Sequence, residues 1–222
     1  MKDLLDRIQD SARQAYAEGM PIDTPVYEEA ALDPTTPVLL GTGTLSARIG
    51  VFGRDPGRNE VLEREPFIGK GGQLIRAGLH RAQFGREPES AEDFLRAGQS
   101  VFWGNTVPYK PTGNKAWSVK IKRRFLPHIQ ELLVERWEGA DLLTCGNVAF
   151  EWFGLADKSL KPALKEFWGR PDRYESVLEL KLAGKAFRLH PLPHPSPLNA
   201  TWYKRFPELL DKRLQALDWT GA

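Results

Sequence analysis

Residues 46–57 read Ser-Ala-Arg-Ile-Gly-Val-Phe-Gly-Arg-Asp-Pro-Gly. A short run rich in β-branched and aromatic residues stops at Gly53 and gives way to a Gly/Pro turn, which is how a buried strand entering a shaped loop reads. The same grammar recurs downstream. SVFWGN (100–105) runs into NTVPYKPTGNKAW, and ADLLTCG (140–146) runs into the helical pattern VAFEWFGL, with Asn147 placed to cap it. SVLELKL and KAFRLHPL flank Ala183-Gly184 and read as a hairpin. Upstream, PVLLG (37–41) is expected to be a further strand.

Helical patterns fill the gaps. Residues 3–18 put Leu4, Leu5, Ile8, Ala12 and Tyr16 on one face, and Gly19 and Pro21 stop the run. A Pro-rich loop then extends to about Pro37. Gly72–Phe84 repeats Leu74, Ile75, Leu79 and Ala82; Val119–Trp137 turns Ile121, Phe125, Ile129, Leu132 and Leu133 inward. Residues 199–217 form a closing helix in which Pro207 is placed to begin the helix proper. Alternating strands and helices predict an α/β fold with a largely parallel sheet. With no repeat, low-complexity tract or linker, the expectation is one domain over 1–222, residues 1–45 being an N-terminal helix and extension.

Composition narrows the chemistry. The chain has 222 residues, 27% of them charged, with a net charge of +2. Its one cysteine, Cys145, excludes an intramolecular disulfide and a cysteine-ligated cluster within the chain. No stretch approaches the roughly 18 apolar residues of a membrane span, and the charged N-terminus lacks a signal-peptide core. A cytoplasmic location, no membrane contact and a monomer are expected.

Ligands of open parallel sheets bind beyond the carboxyl ends of the strands. Four loops there carry the candidates. In Gly53-Arg54-Asp55-Pro56-Gly57, Asp55 is either an Asx-turn or capping residue or a carboxylate that aims water. In Glu65–Gly72, Phe67 is either a core plug or a stacking face, and the amides of Gly69, Lys70 and Gly71 at a helix start suit a phosphate, although the P-loop spacing is absent. Asn105 ends an apolar strand, satisfied by backbone or free to read a base edge. HPLPHPSPLN (190–199) is frozen by four prolines, which prevent His190 and His194 from aligning on one helical turn around a metal. Lys115, Lys120, Lys122, Arg123 and Arg124 form either a solvated face or a phosphate track. No GxSxG elbow or HExxH is present, and GTGTLS (41–46) lacks the helix a dinucleotide fingerprint requires.

Taken together, these clusters resemble the uracil-DNA glycosylase superfamily over about residues 48–200. The segment GRDPGRNEVLEREPFIGKGGQLIRAGL is similar to the GEAPG…G-PF-VGRAG-LL pattern of the thermostable family-4 type; HPSPLN is similar to the HPSPLS loop of family 1. The resemblance implies a three-layer α/β/α sandwich around a four-stranded parallel sheet. It implies Asp55 as the water-activating acid of GQDPYH and His194 as the residue that steadies negative charge on uracil O2. It also implies Phe67 stacking on the flipped base, Asn105 bonding its edge, and Gly53, Arg54 and Gly57 lining the pocket. Leu198 would be the wedge in the duplex. Ser196, Gly69, Lys70, Gly71 and Lys115 would meet DNA.

Three departures matter. Gly57 stands where family 1 has the tyrosine that blocks the thymine methyl. The four cluster-binding cysteines of family 4 are missing. KRRF (122–125) sits in a predicted helix and lacks the histidine of the crosslinking relatives' KRRIH loop. The implied reaction is hydrolysis of the N-glycosidic bond of uracil, or of other deaminated bases, in single- or double-stranded DNA. It leaves an abasic site and needs no metal or cofactor. Two rivals remain at this point: a non-catalytic nucleic-acid-binding relative, and a nucleobase or nucleoside hydrolase acting on small molecules.

Overall fold

The computed structural model describes residues 1–197 and 199–221. Strands β1 (Ile49–Gly53), β2 (Phe102–Asn105), β3 (Asp141–Cys145), β4 (Leu178–Leu182) and β5 (Lys185–Leu192) form one sheet in the order β2-β1-β3-β5-β4. The β2, β1, β3 and β5 strands are parallel, as expected. The hairpin adds a fifth, antiparallel strand at the edge. Ala183 and Gly184 both have positive φ, 47° and 87°, and a two-residue turn of that kind returns the chain antiparallel to itself. The three strands β1, β2 and β3 are buried throughout, whereas β4 alternates, as an edge strand with one wet face should.

Side-chain alternation assigns the two faces. Ile49, Val51, Trp103, Leu143, Cys145 and Leu192 pack with helices α4 (Lys70–Phe84), α5 (Ala91–Gly98) and α9 (Ala200–Ala216). Phe52, Phe102, Leu142 and Leu189 pack with α1 (Lys2–Ala17), α6 (Val119–Glu131), α7 (Asn147–Ala156) and α8 (Lys161–Trp168). The result is the three-layer α/β/α sandwich. Two shorter helices, α2 (Thr24–Glu29) and α3 (Arg58–Glu63), sit at the strand carboxyl ends, beside the cleft described below.

Several local expectations are corrected. PVLLG is not a strand: Leu40 adopts φ 65°, and the segment ties down through the Val38 N–H to the Pro108 carbonyl. In α1, Ala15 faces inward and Tyr16 does not; its hydroxyl meets Thr24 instead. Gly146 (φ 87°), not Asn147, is the cap of α7, with no side-chain capping bond. Pro207 lies inside α9, because the Tyr203 N–H already donates to the Asn199 carbonyl and the helix is under way. The Pro-rich loop before Pro37 contains α2, with a proline in its first turn, where the missing N–H costs nothing.

Candidate active site

Loops following β1, β2, β3 and β5 meet around a cleft of about 690 Å³. Gly53 ends β1 and lies beside Asn105 in register. A Cβ on Gly53 would stand 2.6 Å from Phe67 Cζ and 2.8 Å from Asn105 Oδ1, so the bare backbone lets the ring and the amide close together. Asn105 is 3% exposed. Phe67 holds a left-handed backbone (φ 55°) and stacks on Trp103 at 5.1 Å between centroids. That conformation costs roughly 1–3 kcal/mol in a non-glycine residue and needs support. Arg76, fully buried beneath it, supplies that support. Its guanidinium donates to the carbonyls of Phe67 (2.9 Å), Pro66 (2.6 Å) and Phe94 (3.0 Å), pairs with Glu65 (2.7 Å), and lies over the Trp103 ring. Glu65 also accepts the Thr42 N–H at 3.0 Å.

Asp55 sits one turn past β1. Arg54 grips it with two bonds, Nε to Oδ1 at 2.5 Å and Nη2 to Oδ2 at 3.1 Å. The same Nη2 donates to the Asn114 carbonyl at 3.1 Å, and the Arg54 carbonyl accepts the Thr106 hydroxyl at 2.6 Å. The loop is thereby fastened to the chain that follows β2. The Asp55 side chain is 4% exposed, and burial pushes its carboxyl above the ordinary range, against the pull of Arg54, Lys110 and Lys122. It does not cap α3, whose cap is Gly57.

His194 lies on the proline loop after β5 and keeps an exposed edge in the cleft. The protein packed around it, and then the nearby Arg54 charge, push its pKa down, which favours the neutral ring. Gly146 seats it: a Cβ there would stand 3.1 Å from His194 Cβ. His190 is elsewhere, buried on β5 with Nε2 2.8 Å from Asp141 Oδ1.

The start of α4 closes the cleft from the other side. A Cβ on Gly71 would stand 2.0 Å from the Pro195 carbonyl oxygen, so glycine is required for this contact. The Gly69 N–H already donates to Glu60 Oε1 at 3.0 Å. The other oxygen of Glu60 lies 2.6 Å from the point a Gly57 Cβ would occupy. Glu60 therefore fills the space beside Gly57. Gly53, Arg54, Asp55, Gly57, Phe67, Gly69, Lys70, Gly71, Asn105, His194 and Ser196 all line this one cleft. Lys115 does not, and Leu198 lies outside the described residues. Lys120 and Arg124, read as possible phosphate contacts, pair with Glu18, the C-cap of α1, instead. Sequence reasoning missed Glu60, Arg76, Trp103, Lys110 and Asp23; the first is signalled only by its place three residues after Gly57.

A family model described as the uracil DNA glycosylase superfamily matches residues 40–218. The chain belongs to the uracil DNA glycosylase superfamily. No curated protein matches it. Membership in this superfamily gives the general class of activity, that of a glycosylase-type hydrolase, and leaves α1 and α2 outside the matched region.

Proposed function

We propose that the protein is a monofunctional DNA glycosylase that hydrolyses the N-glycosidic bond of uracil flipped out of DNA, leaving an abasic site. The observation that carries this reading is the joint placement of a desolvated carboxylate, Asp55, and a neutral imidazole, His194, on a cleft whose other walls are Phe67 and Asn105. Flipping costs a few kcal/mol, and stacking on Phe67 returns roughly 1–3 kcal/mol. Asn105 offers a donor and an acceptor to the base edge. As the bond lengthens, the sugar becomes cationic and the base anionic. Asp55 favours the cation and aims a water at C1′. His194, with a ring N–H to donate, favours the anion as an oxyanion hole does. Lys70 and the amides of α4's first turn, with Ser196, would hold backbone phosphates.

Glu60 bears on substrate choice. A carboxylate in the space beside Gly57 disfavours an apolar methyl there, which supports uracil over thymine. The test is release of free base from single- and double-stranded oligonucleotides carrying uracil, hypoxanthine, xanthine or a thymine mismatch. Uracil release exceeding thymine release supports the reading. Folded protein that releases none of them rejects it.

A further inference from the structure

The segment before residue 40 lies outside the family match, yet it reaches the cleft: Asp23 and Val26 are among its walls. It is laid along the chain that follows β2. Ile22 bridges Pro111, the Asp23 N–H donates to the Lys110 carbonyl at 3.0 Å, and the Thr112 N–H donates to the Pro21 carbonyl at 2.9 Å. Lys110 is nearly buried, and its ammonium is shared between Asp23 Oδ2 (2.6 Å), Asn114 Oδ1 (3.0 Å) and the Pro111 carbonyl (3.2 Å). Asn114 holds a left-handed backbone (φ 55°), and its carbonyl is the one that Arg54 grips while it grips Asp55. We propose that residues 20–29 form a strap that positions the catalytic carboxylate, with Asp23 as its anchor and Lys110, Asn114 and Arg54 as the chain of contacts leading to Asp55. Asp23 touches neither base nor sugar in this account; it is a positioning residue.

The proposal rests on the glycosylase reading. The charged groups bearing on Asp55 are Arg54 beside it, Lys110 from the strap contact and Lys122 from α6. Releasing the strap moves Lys110 and Arg54 away, so the carboxylate is left with burial less opposed. Two variants of the full chain test this, Asp23→Ala and Asn114→Gly, the second keeping the left-handed backbone that glycine favours. Both should lower kcat on uracil-containing DNA by roughly tenfold or more, since small misplacements near the reacting centre cost up to about a hundredfold, with KM little changed. Both should also raise the half-point of the acid limb of kcat, and Asp23→Glu should retain most of the rate. The carboxyl-carbon NMR titration of Asp55 reads the same upward shift without any substrate. An unchanged titration, or a downward one, would overturn the strap, the latter by showing that Asp23 merely screens Lys110. A loss of rate that follows lost thermal stability, with the titration unmoved, would also overturn it. Wild-type protein that releases no base while the titration moves as expected would reject the glycosylase reading and leave the strap standing.

Discussion

Arg76 and Arg54 each hold a carboxylate, Glu65 at 2.7 Å and Asp55 at 2.5 Å, but only the second pair lines the cleft. Arg76 is fully buried and spends its remaining donors on three backbone carbonyls. Arg54 is 26% exposed, and its carboxylate partner opens on the cleft. In the Arg76 pair the guanidinium makes four hydrogen bonds away from the cleft and supports the Phe67 turn. The Arg54 pair is incomplete: burial raises the Asp55 carboxyl despite the adjacent guanidinium. An arginine–carboxylate pair thus braces backbone where neither partner lines the cleft, and leaves a buried carboxylate facing the cleft where the pair stands in its wall.

The contrast can be broken at four points. Asp55→Asn should lower the rate of base release by about 10²–10⁴-fold, the range for a general base or water-positioning group, as read in single-turnover assays. Arg76→Met should cost about 3–5 kcal/mol of stability, because Glu65 is left buried without its cation; denaturant unfolding measures it. Phe67→Ala should weaken the reaction by roughly 1–3 kcal/mol, the value of one stacked base, with a smaller effect on folding than Arg76→Met. The smallest effect is a pH-dependent difference in Tm. Asp55 titrates higher folded than unfolded, so its contribution to stability is full below the ordinary carboxylate pKa and lost as pH rises through the folded value. Asp55→Asn should therefore melt no lower than wild type at neutral pH, and its advantage should vanish in acid, as differential scanning calorimetry at the two pH values would show.

The sheet was legible because its signals are local. Ile49–Gly53 and Leu142–Cys145 are apolar runs closed by turn residues, and Ala183-Gly184 is a turn by composition. PVLLG has the same apolar look without a partner strand, and periodicity does not separate the two cases. In the cleft, Asp55, Phe67, Asn105 and His194 stood out because each lies in a Gly/Pro-rich loop or at a strand end, where an ordinary packing role is less natural. Arg76 and Glu65 are eleven positions apart, and Lys110 and Asp23 are eighty-seven apart. Nothing in the local pattern of either member announces its partner. Such pairs exist only once the fold has brought distant segments together.

The proposed hydrolysis turns on Asp55. The most direct measurement is the release of free uracil, and of the matching abasic site, from a uracil-containing oligonucleotide by wild-type protein and by Asp55→Asn at equal folded concentration. Release by the wild type and at least a hundredfold slower release by the variant are expected. Release by both at the same rate, or by neither, would contradict the proposal.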